Sequence, residues 1–378
     1  MSCAERRIEY PVAEPDIGPL ELQYVTEAVR SGWVSSLGEF IGRFEKGMAN
    51  LCDAKHVVTV CNGTVALHLT LKGLGIGSGD EVIVPSLTFV ATAAAVLHAG
   101  ATPVFVDSEP RTYCLEPLAV KAAMTARTKA IIVVHLYGHP ANMDAILEIA
   151  AGRCAVIEDA AEAHGALYRG RRVGSIGRVG TFSFYANKLI TTGEGGCVVT
   201  NDEELASRFR FLKDHAMDRH RRYWHPEVGY NYRMTNLQAA LGVAQIERFD
   251  QIVRRRRALI DAYRDALWDL PVVVNPAEEW AEPAPWLANM LLPPGKKASV
   301  VAQRLRQIGI DTRPFFVPLN QMPPYRSYRC VDDSGRPGCP ISADLHERGI
   351  ILPTVPSMPV EPLLDRVSQA VKACIATD

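Results

Sequence analysis

Short apolar runs recur along the chain, each followed by a segment whose apolar residues repeat at helical spacing. The runs are His56–Cys61, Glu81–Pro85, Thr102–Asp107, Ala130–His135, Cys154–Asp159, Thr181–Phe184 and Gly196–Thr200. Continuous apolar runs of this length suit strands buried on both faces, and regular alternation with helices suits a parallel sheet. The pattern therefore predicts an α/β fold with a large, mainly parallel central sheet sandwiched by helices. Helices are expected over Pro19–Arg30, from about Phe40, from Asn62-Gly-Thr64 onward, over Ala298–Gly309 and at the carboxyl end. One long helix is expected from Asn236 to about Leu267, leading from a large domain (1–250) into a smaller α+β domain (251–378). Residues 271–294, rich in proline, read as edge strands and loops of that smaller part. No repeat of 20–50 residues is present, which excludes solenoids and propellers.

The run Thr181–Phe184 delivers Lys188, and a glycine-rich turn, Gly193-Glu-Gly-Gly196, follows at once. Apolar flanks disfavour the charged form of a lysine and free its amine to attack a carbonyl. About thirty residues earlier, Asp159 closes an apolar run at the carboxyl end of its strand, where open α/β sheets place their ligands. A buried carboxylate there needs a cationic partner, and a protonated pyridine nitrogen is one. A strand-end aspartate and a downstream lysine are the two groups that pyridoxal phosphate chemistry requires. Glu162 follows Asp159 at about one helical turn and should share its face. Asn62 suits a helix N-cap, and Gly63 leaves the first free amides open, which is either a phosphate site or simply a capped helix. His164 reads as a residue that stacks or bonds near the site, or as a structural one.

Composition narrows the classes. The 378 residues are 48% hydrophobic and 22% charged, with a net charge of −1, so no global field attracts nucleic acid or an anionic membrane. The run Arg254–Arg257 reads as a solvated helix face. The first residues lack an apolar signal core and no run of about eighteen apolar residues occurs, so a cytoplasmic protein is expected. Nine cysteines without CxxC pairing read as reduced thiols. His215, His220 and His225 would lie on different sides of a helix among cations, so no metal is expected; the same segment suits an anionic nucleotide. Gly73–Gly79 lacks the spacing and context of a dinucleotide loop and reads as a turn.

Seven segments in register carry a resemblance. They are Ser31-Gly-Trp33-Val-Ser35-Ser, Asn62-Gly-Thr64, Pro85-Ser-Leu-Thr-Phe89, His135-Leu-Tyr-Gly138, Glu158-Asp159, Ser183-Phe-Tyr-Ala-Asn-Lys188 and Gly229-Tyr-Asn231-Tyr-Arg-Met-Thr-Asn. From Pro15 to about Tyr325 the chain resembles the DegT/DnrJ/EryC1/StrS sugar aminotransferases, pyridoxal-phosphate enzymes of the fold type I transferases. Its Ser183–Lys188 and Tyr223–Asn231 segments are most similar to the branch that makes GDP-perosamine. The resemblance implies that Lys188 carries pyridoxal 5′-phosphate, alternating with the pyridoxamine form, and that Asp159 pairs with its ring nitrogen. It implies that Phe89 stacks on the ring, Glu162 contacts its phenolic oxygen, and Gly63, Thr64 and Ser183 hold its phosphate. Asn231 is implied to reach that phosphate from the other subunit of a homodimer.

For the substrate, the resemblance implicates Trp33, Ser35, Tyr185, Arg313 and Tyr325, although Trp33 also reads as a packing aromatic. Asn320 stands where the family has a histidine. The implied reaction transfers nitrogen from L-glutamate to a nucleotide-linked keto sugar, GDP-4-keto-6-deoxymannose first and GDP-3-keto-6-deoxymannose next, with a keto-aminocyclitol as the alternative. A dehydratase of this family would carry histidine at the position of Lys188, and a regulator would need a DNA-binding segment.

Overall fold

A computed structural model describes residues 7–376. The first six residues, and Cys3 with them, lie outside the described part. In chain order, α1 (Pro19–Arg30), α2 (Glu39–Cys52), β1 (His56–Val60), α3 (Gly63–Gly73), β2 (Glu81–Pro85), α4 (Ala91–His98) and β3 (Thr102–Val106) come first. Then follow α5 (Pro117–Ala123), β4 (Thr128–Val134), α6 (Met143–Ala150), β5 (Ala155–Asp159), β6 (Leu167–Tyr168), β7 (Arg171–Arg172), β8 (Val179–Ser183), β9 (Gly196–Thr200) and α7 (Glu203–Lys213). The remainder comprises α8 (Asn236–Glu247), α9 (Phe249–Ala266), β10 (Val273–Val274), β11 (Ala281–Glu282), β12 (Ala288–Leu291) and α10 (Ala298–Gln307). It ends with β13 (Arg313–Pro314), β14 (Cys330–Val331), α11 (Pro340–Arg348), β15 (Gly349–Leu352) and α12 (Val360–Ala376).

Eight strands form the central sheet in the order β1-β9-β8-β5-β4-β2-β3-β14. Pairing is parallel from β8 to β14, while β9 runs antiparallel to both β1 and β8. Successive side chains feed opposite cores. Ile83, Ile131 and Val133 pack on one face with α2, and Val82, Val84 and Ile132 on the other with α4. Burial on both faces is why these strands read as unbroken apolar runs. A second sheet, β10-β12-β15-β13, packs with α9, α10 and α12 around its own core.

Several sequence expectations change. The long helix divides at Arg248, whose guanidinium turns back to Asp16 (2.7 Å) and Glu21 (2.5 Å) and ties the amino-terminal segment to the junction of α8 and α9. The arginine run is not uniformly solvated: Arg256 is 1% exposed, with Nη1 donating to the Trp286 carbonyl at 2.7 Å. Burial drives its pKa down to about 10. The strands do not divide the chain at residue 250 alone. β14 joins the edge of the central sheet beside β3, and Tyr10 bridges to Ile310 and packs in the smaller core. Within 271–294, β12 is an interior strand, fully buried between β10 and β15.

The node of the large domain is Glu158, fully buried in β5. Its carboxylate accepts from the amides of Gly174 (2.7 Å), Ile176 (2.7 Å) and Gly177 (2.6 Å) and lies 2.9 Å from His135 Nε2. The Ala141 amide donates to His135 Nδ1 at 3.1 Å, so Nε2 carries the proton that faces Glu158. Truncation would leave four donors without this acceptor, two of them buried and two half-buried. Glu158→Ala is expected to cost about 3–5 kcal/mol, read as a lower urea midpoint; an unchanged midpoint would contradict this role.

Candidate active site

At the carboxyl ends of β5 and β8 the chain brings Lys188, Asp159 and Glu162 together. Lys188 Nζ lies 3.5 Å from Glu162 Oε1, with both side chains nearly buried. Glu162 Oε2 accepts from the Tyr137 amide at 2.8 Å. Tyr137 adopts φ 51°, an uncommon backbone region for a non-glycine residue that recurs at functional sites. Asp159 is 6% exposed; Oδ2 accepts from Thr92 Oγ1 at 3.0 Å and Oδ1 from the Ala161 amide at 3.2 Å. The chain after Asp159 turns instead of forming a helix, so Glu162 reaches the site through a turn and not through helical phase.

Burial sets the electrostatics. It lowers the Lys188 pKa below the ordinary lysine value, an effect opposed by the charges of Glu162 and Asp159. Burial raises both carboxylates above their usual range, opposed at Asp159 by the Ala161 amide, Thr92 and Lys188, and at Glu162 by Lys188 and the Tyr137 amide. His164 is buried against Phe182 and Phe184, and both ring nitrogens lack a hydrogen-bond partner among the described residues. Burial, aided by the charge of Lys188, lowers its pKa to about 3. It therefore stays neutral.

Next to this cluster is a cradle for an anion. Asn62 caps α3 by accepting from the Val65 amide at 3.0 Å, and the Gly63 and Thr64 amides ahead of it donate to none of the described residues. A Cβ on Gly63 would stand 2.8 Å from that of Ser183 and 3.2 Å from its hydroxyl, so only glycine lets the helix start approach β8 this closely. Free amides, a helix N-terminus and a serine hydroxyl suit a phosphate group. Phe89, 55% exposed just before α4, is open to stack on a planar ring, with Phe316 5.9 Å away. The residues present therefore fit pyridoxal phosphate: a cradle for its phosphate, an aromatic face, a lysine, and an aspartate with acceptor capacity to spare.

The other predicted residues lie as follows. Arg313, exposed on β13, is near enough for its charge to oppose that of Lys188. Tyr185 is 49% exposed and its carbonyl accepts from the Lys188 amide at 2.9 Å. Trp33 and Ser35 are exposed in the turn between α1 and α2, where Asn236 binds both their carbonyls, at 2.7 Å and 2.6 Å. Asn231 is exposed, bridged to Asp214 and held by Arg233 Nε at 3.1 Å, and neither contact leads to Lys188. Tyr325 is 5% exposed and packs edge-on against Phe105; the fold places it in the core instead of on an open surface. Asn320 accepts from Ser86 at 2.6 Å. His215–His225 forms turns, not a helix, so helical phase does not separate its histidines. A cavity of about 590 Å³ at the opposite strand ends, beside Lys129 and Arg153, holds none of the predicted residues.

Sequence reasoning missed Thr92 as the partner of Asp159, although it stands only three residues beyond the quoted Pro85–Phe89 segment. It also missed Trp286, whose ring centre lies 3.9 Å from Lys188 Nζ. No motif marks Trp286; only the fold brings it there.

A lysine and two carboxylates beside a phosphate cradle on a sheet of this topology define an aminotransferase of the pyridoxal-phosphate kind. The comparisons agree: residues 15–372 match the model of the DegT/DnrJ/EryC1/StrS aminotransferase family, and the chain belongs to it. It is 47% identical to a GDP-perosamine synthase of Caulobacter vibrioides over 85% of this chain and 88% of that one. A GDP-perosamine synthase of Escherichia coli O157:H7 is 43% identical over 94% and 95% of the two chains. Among solved structures, Spr1654 of Streptococcus pneumoniae in its PMP form superposes with a TM-score of 0.90, at 26% identity over 97% of this chain and 98% of that one. The protein is a pyridoxal-phosphate-dependent aminotransferase.

Lys188→Ala tests the central residue. Wild-type protein should absorb near the visible edge, with a band that shifts when L-glutamate is added. The variant should retain cofactor in the cradle, lack the band of the covalent link, and lose turnover by on the order of a thousandfold or more. An unchanged spectrum and rate would remove Lys188 from its role.

Proposed function

We propose that the chain aminates a GDP-linked keto-deoxy sugar, GDP-4-keto-6-deoxymannose, with L-glutamate as the nitrogen donor. The observation that carries the reading is the buried amine of Lys188, 3.5 Å from Glu162 and beside Asp159. The names of the two relatives supply the sugar class. When bound, pyridoxal phosphate supplies a carbon that accepts an amine and a ring that takes up the electrons of the neighbouring carbon. The protein does the rest. Lys188 Nζ takes up and returns the migrating proton in each half of the reaction. With the cofactor bound, Asp159 would hold a proton on the ring nitrogen, and Glu162 would orient the amine and the ring's polar edge. Gly63, Thr64 and Ser183 would bind the phosphate, and Phe89 would cover the ring. Tyr185 and Arg313 border the space for the sugar ketone and the donor's carboxylate, and Tyr325 supports that wall from within the core.

We further read the protein as a cytoplasmic homodimer. Cys52, Cys61, Cys114, Cys154, Cys197, Cys330 and Cys339 are free thiols, which suits a reducing compartment. No helix of the described residues is long and apolar enough to cross a membrane. Asn231, exposed beside Arg233, suits the partner's phosphate. The turn segment before it exposes Arg221 over Trp224 (4.1 Å) and Arg222 over Tyr223 (4.9 Å), a surface matched to a nucleoside diphosphate. Trp33 and Ser35, exposed in the turn between α1 and α2, would border the substrate entrance.

Two experiments check this. With L-glutamate present, release of 2-oxoglutarate should be fastest with GDP-4-keto-6-deoxymannose, by about 10–200-fold in kcat/KM over the 3-keto isomer. Turnover of a keto-aminocyclitol alone would overturn the sugar assignment. For the dimer, Lys188→Ala and Asn231→Ala subunits, each impaired alone, should regain activity when mixed, because one site of the hybrid then holds both native residues. If mixing restores nothing, Asn231 does not act across the interface.

A further inference from the structure

Trp286 belongs to the stretch between β11 and β12, outside every segment that pointed to the site. It is 3% exposed, and three contacts tie it to the reacting lysine and its support. The ring centre lies 3.9 Å from Lys188 Nζ. The indole N–H donates to the Asn187 carbonyl at 2.8 Å, the peptide group that leads into Lys188. Behind it, the Trp286 carbonyl accepts from Arg256 Nη1 at 2.7 Å, and Arg256 is itself 1% exposed. The chain has thus buried a full guanidinium to fix the backbone that carries this indole.

The chemistry of the contact differs from that of the carboxylates. An aromatic face attracts an ammonium through its quadrupole, yet it has no site that can accept the proton. Glu162 and Asp159 attract the ammonium too, but each can take its proton. Arg313 opposes the charge from β13, and His164 lies near enough for the charge of Lys188 to help lower its pKa. An amine that must hold a proton and then surrender it only to the reacting carbon gains from a partner of the first kind.

We propose that Trp286 is a positioning residue for Lys188: its ring face holds the ammonium without competing for the proton, and its N–H fixes the peptide group from which the lysine springs. This deepens the aminotransferase reading and rests on Lys188 being the amine that serves the cofactor. It does not depend on which sugar is aminated.

The test uses the holoenzyme in its pyridoxamine form, in which Lys188 is free. Acetic anhydride labelling of Lys188, followed by mass spectrometry across a pH series, reports the pH at which the amine loses its proton. Trp286→Leu keeps an apolar cover without a ring and should lower that midpoint by about 1 pH unit. Trp286→Phe restores the ring without the N–H. It should return the midpoint to the wild-type value while slowing the single-turnover reaction of the pyridoxal form with glutamate about tenfold at saturation. A residue that only packs would lower the unfolding midpoint in both variants and leave the labelling midpoint in place; that result overturns the proposal. Should Trp286→Leu fail to fold, Trp286→Phe decides alone, and a wild-type glutamate rate overturns it. Labelling uses no sugar, so an error in the sugar assignment would leave this outcome unchanged.

Discussion

Two buried carboxylates stand side by side at the end of β5, and their unequal satisfaction organises the site. Neighbouring residues of a strand point to opposite faces. Glu158 turns inward and meets three amides and the His135 ring, which uses the acceptor capacity of a carboxylate almost fully. Asp159 turns toward the strand ends and receives only the Thr92 hydroxyl and the Ala161 amide. Burying a charge so sparsely bonded is costly unless a further donor arrives. Glu158 pins β4, β5 and the turn before β8, and so holds Asp159 where that donor must come.

The charge balance leads to the same place. Glu162 and Asp159 bring two carboxylates to a cluster with one buried ammonium, Lys188, while Arg313 stays exposed on β13. Loss of solvent raises both acids, and the charge of Lys188 offsets this only in part. In the reading proposed above, a protonated ring nitrogen would meet Asp159 and the cofactor phosphate would meet the free amides of Gly63 and Thr64. Cofactor binding would in this sense add to the stability of the folded state.

Much of this was legible in the sequence because the strands are buried on both faces and leave unbroken apolar runs. The site residues Asp159, Ser183 and Lys188 end or follow such runs, so finding the strands found them. Asn62 and Gly63 were visible for a local reason, the demands of a helix start. What escaped notice depends on contacts between distant parts of the chain. Arg248 interrupts a helix without a breaker residue, since Asp16 and Glu21 draw its guanidinium away. Arg256 looks like one of four surface cations until the Trp286 carbonyl takes it inside. β14 is two residues long, too short to carry a period. Tyr325 matched a family segment, but position along the chain does not tell which side of a sheet edge a ring will occupy.

The residues around Lys188 come from far apart: α3, the start of α4, the ends of β5 and β8, the stretch before β12, and β13. Those before residue 200 belong to one sheet and are placed by strand register. Trp286 and Arg313 come from the chain after α9, and their positions depend on how that part packs against the sheet. Arg256 crosses this junction, reaching the Trp286 carbonyl at 2.7 Å and the Glu14 carbonyl at 3.4 Å from a helix that serves both cores. A buried cation whose hydrogen bonds go to neutral carbonyls, with the Asp16 carboxylate acting on it only through its charge, is a costly way to stabilise a fold. It is an effective way to fix geometry, because a guanidinium fork accepts little rotation. The arrangement thus gives up some stability at the junction to hold an aromatic face at a set distance from the one amine on which the reaction depends.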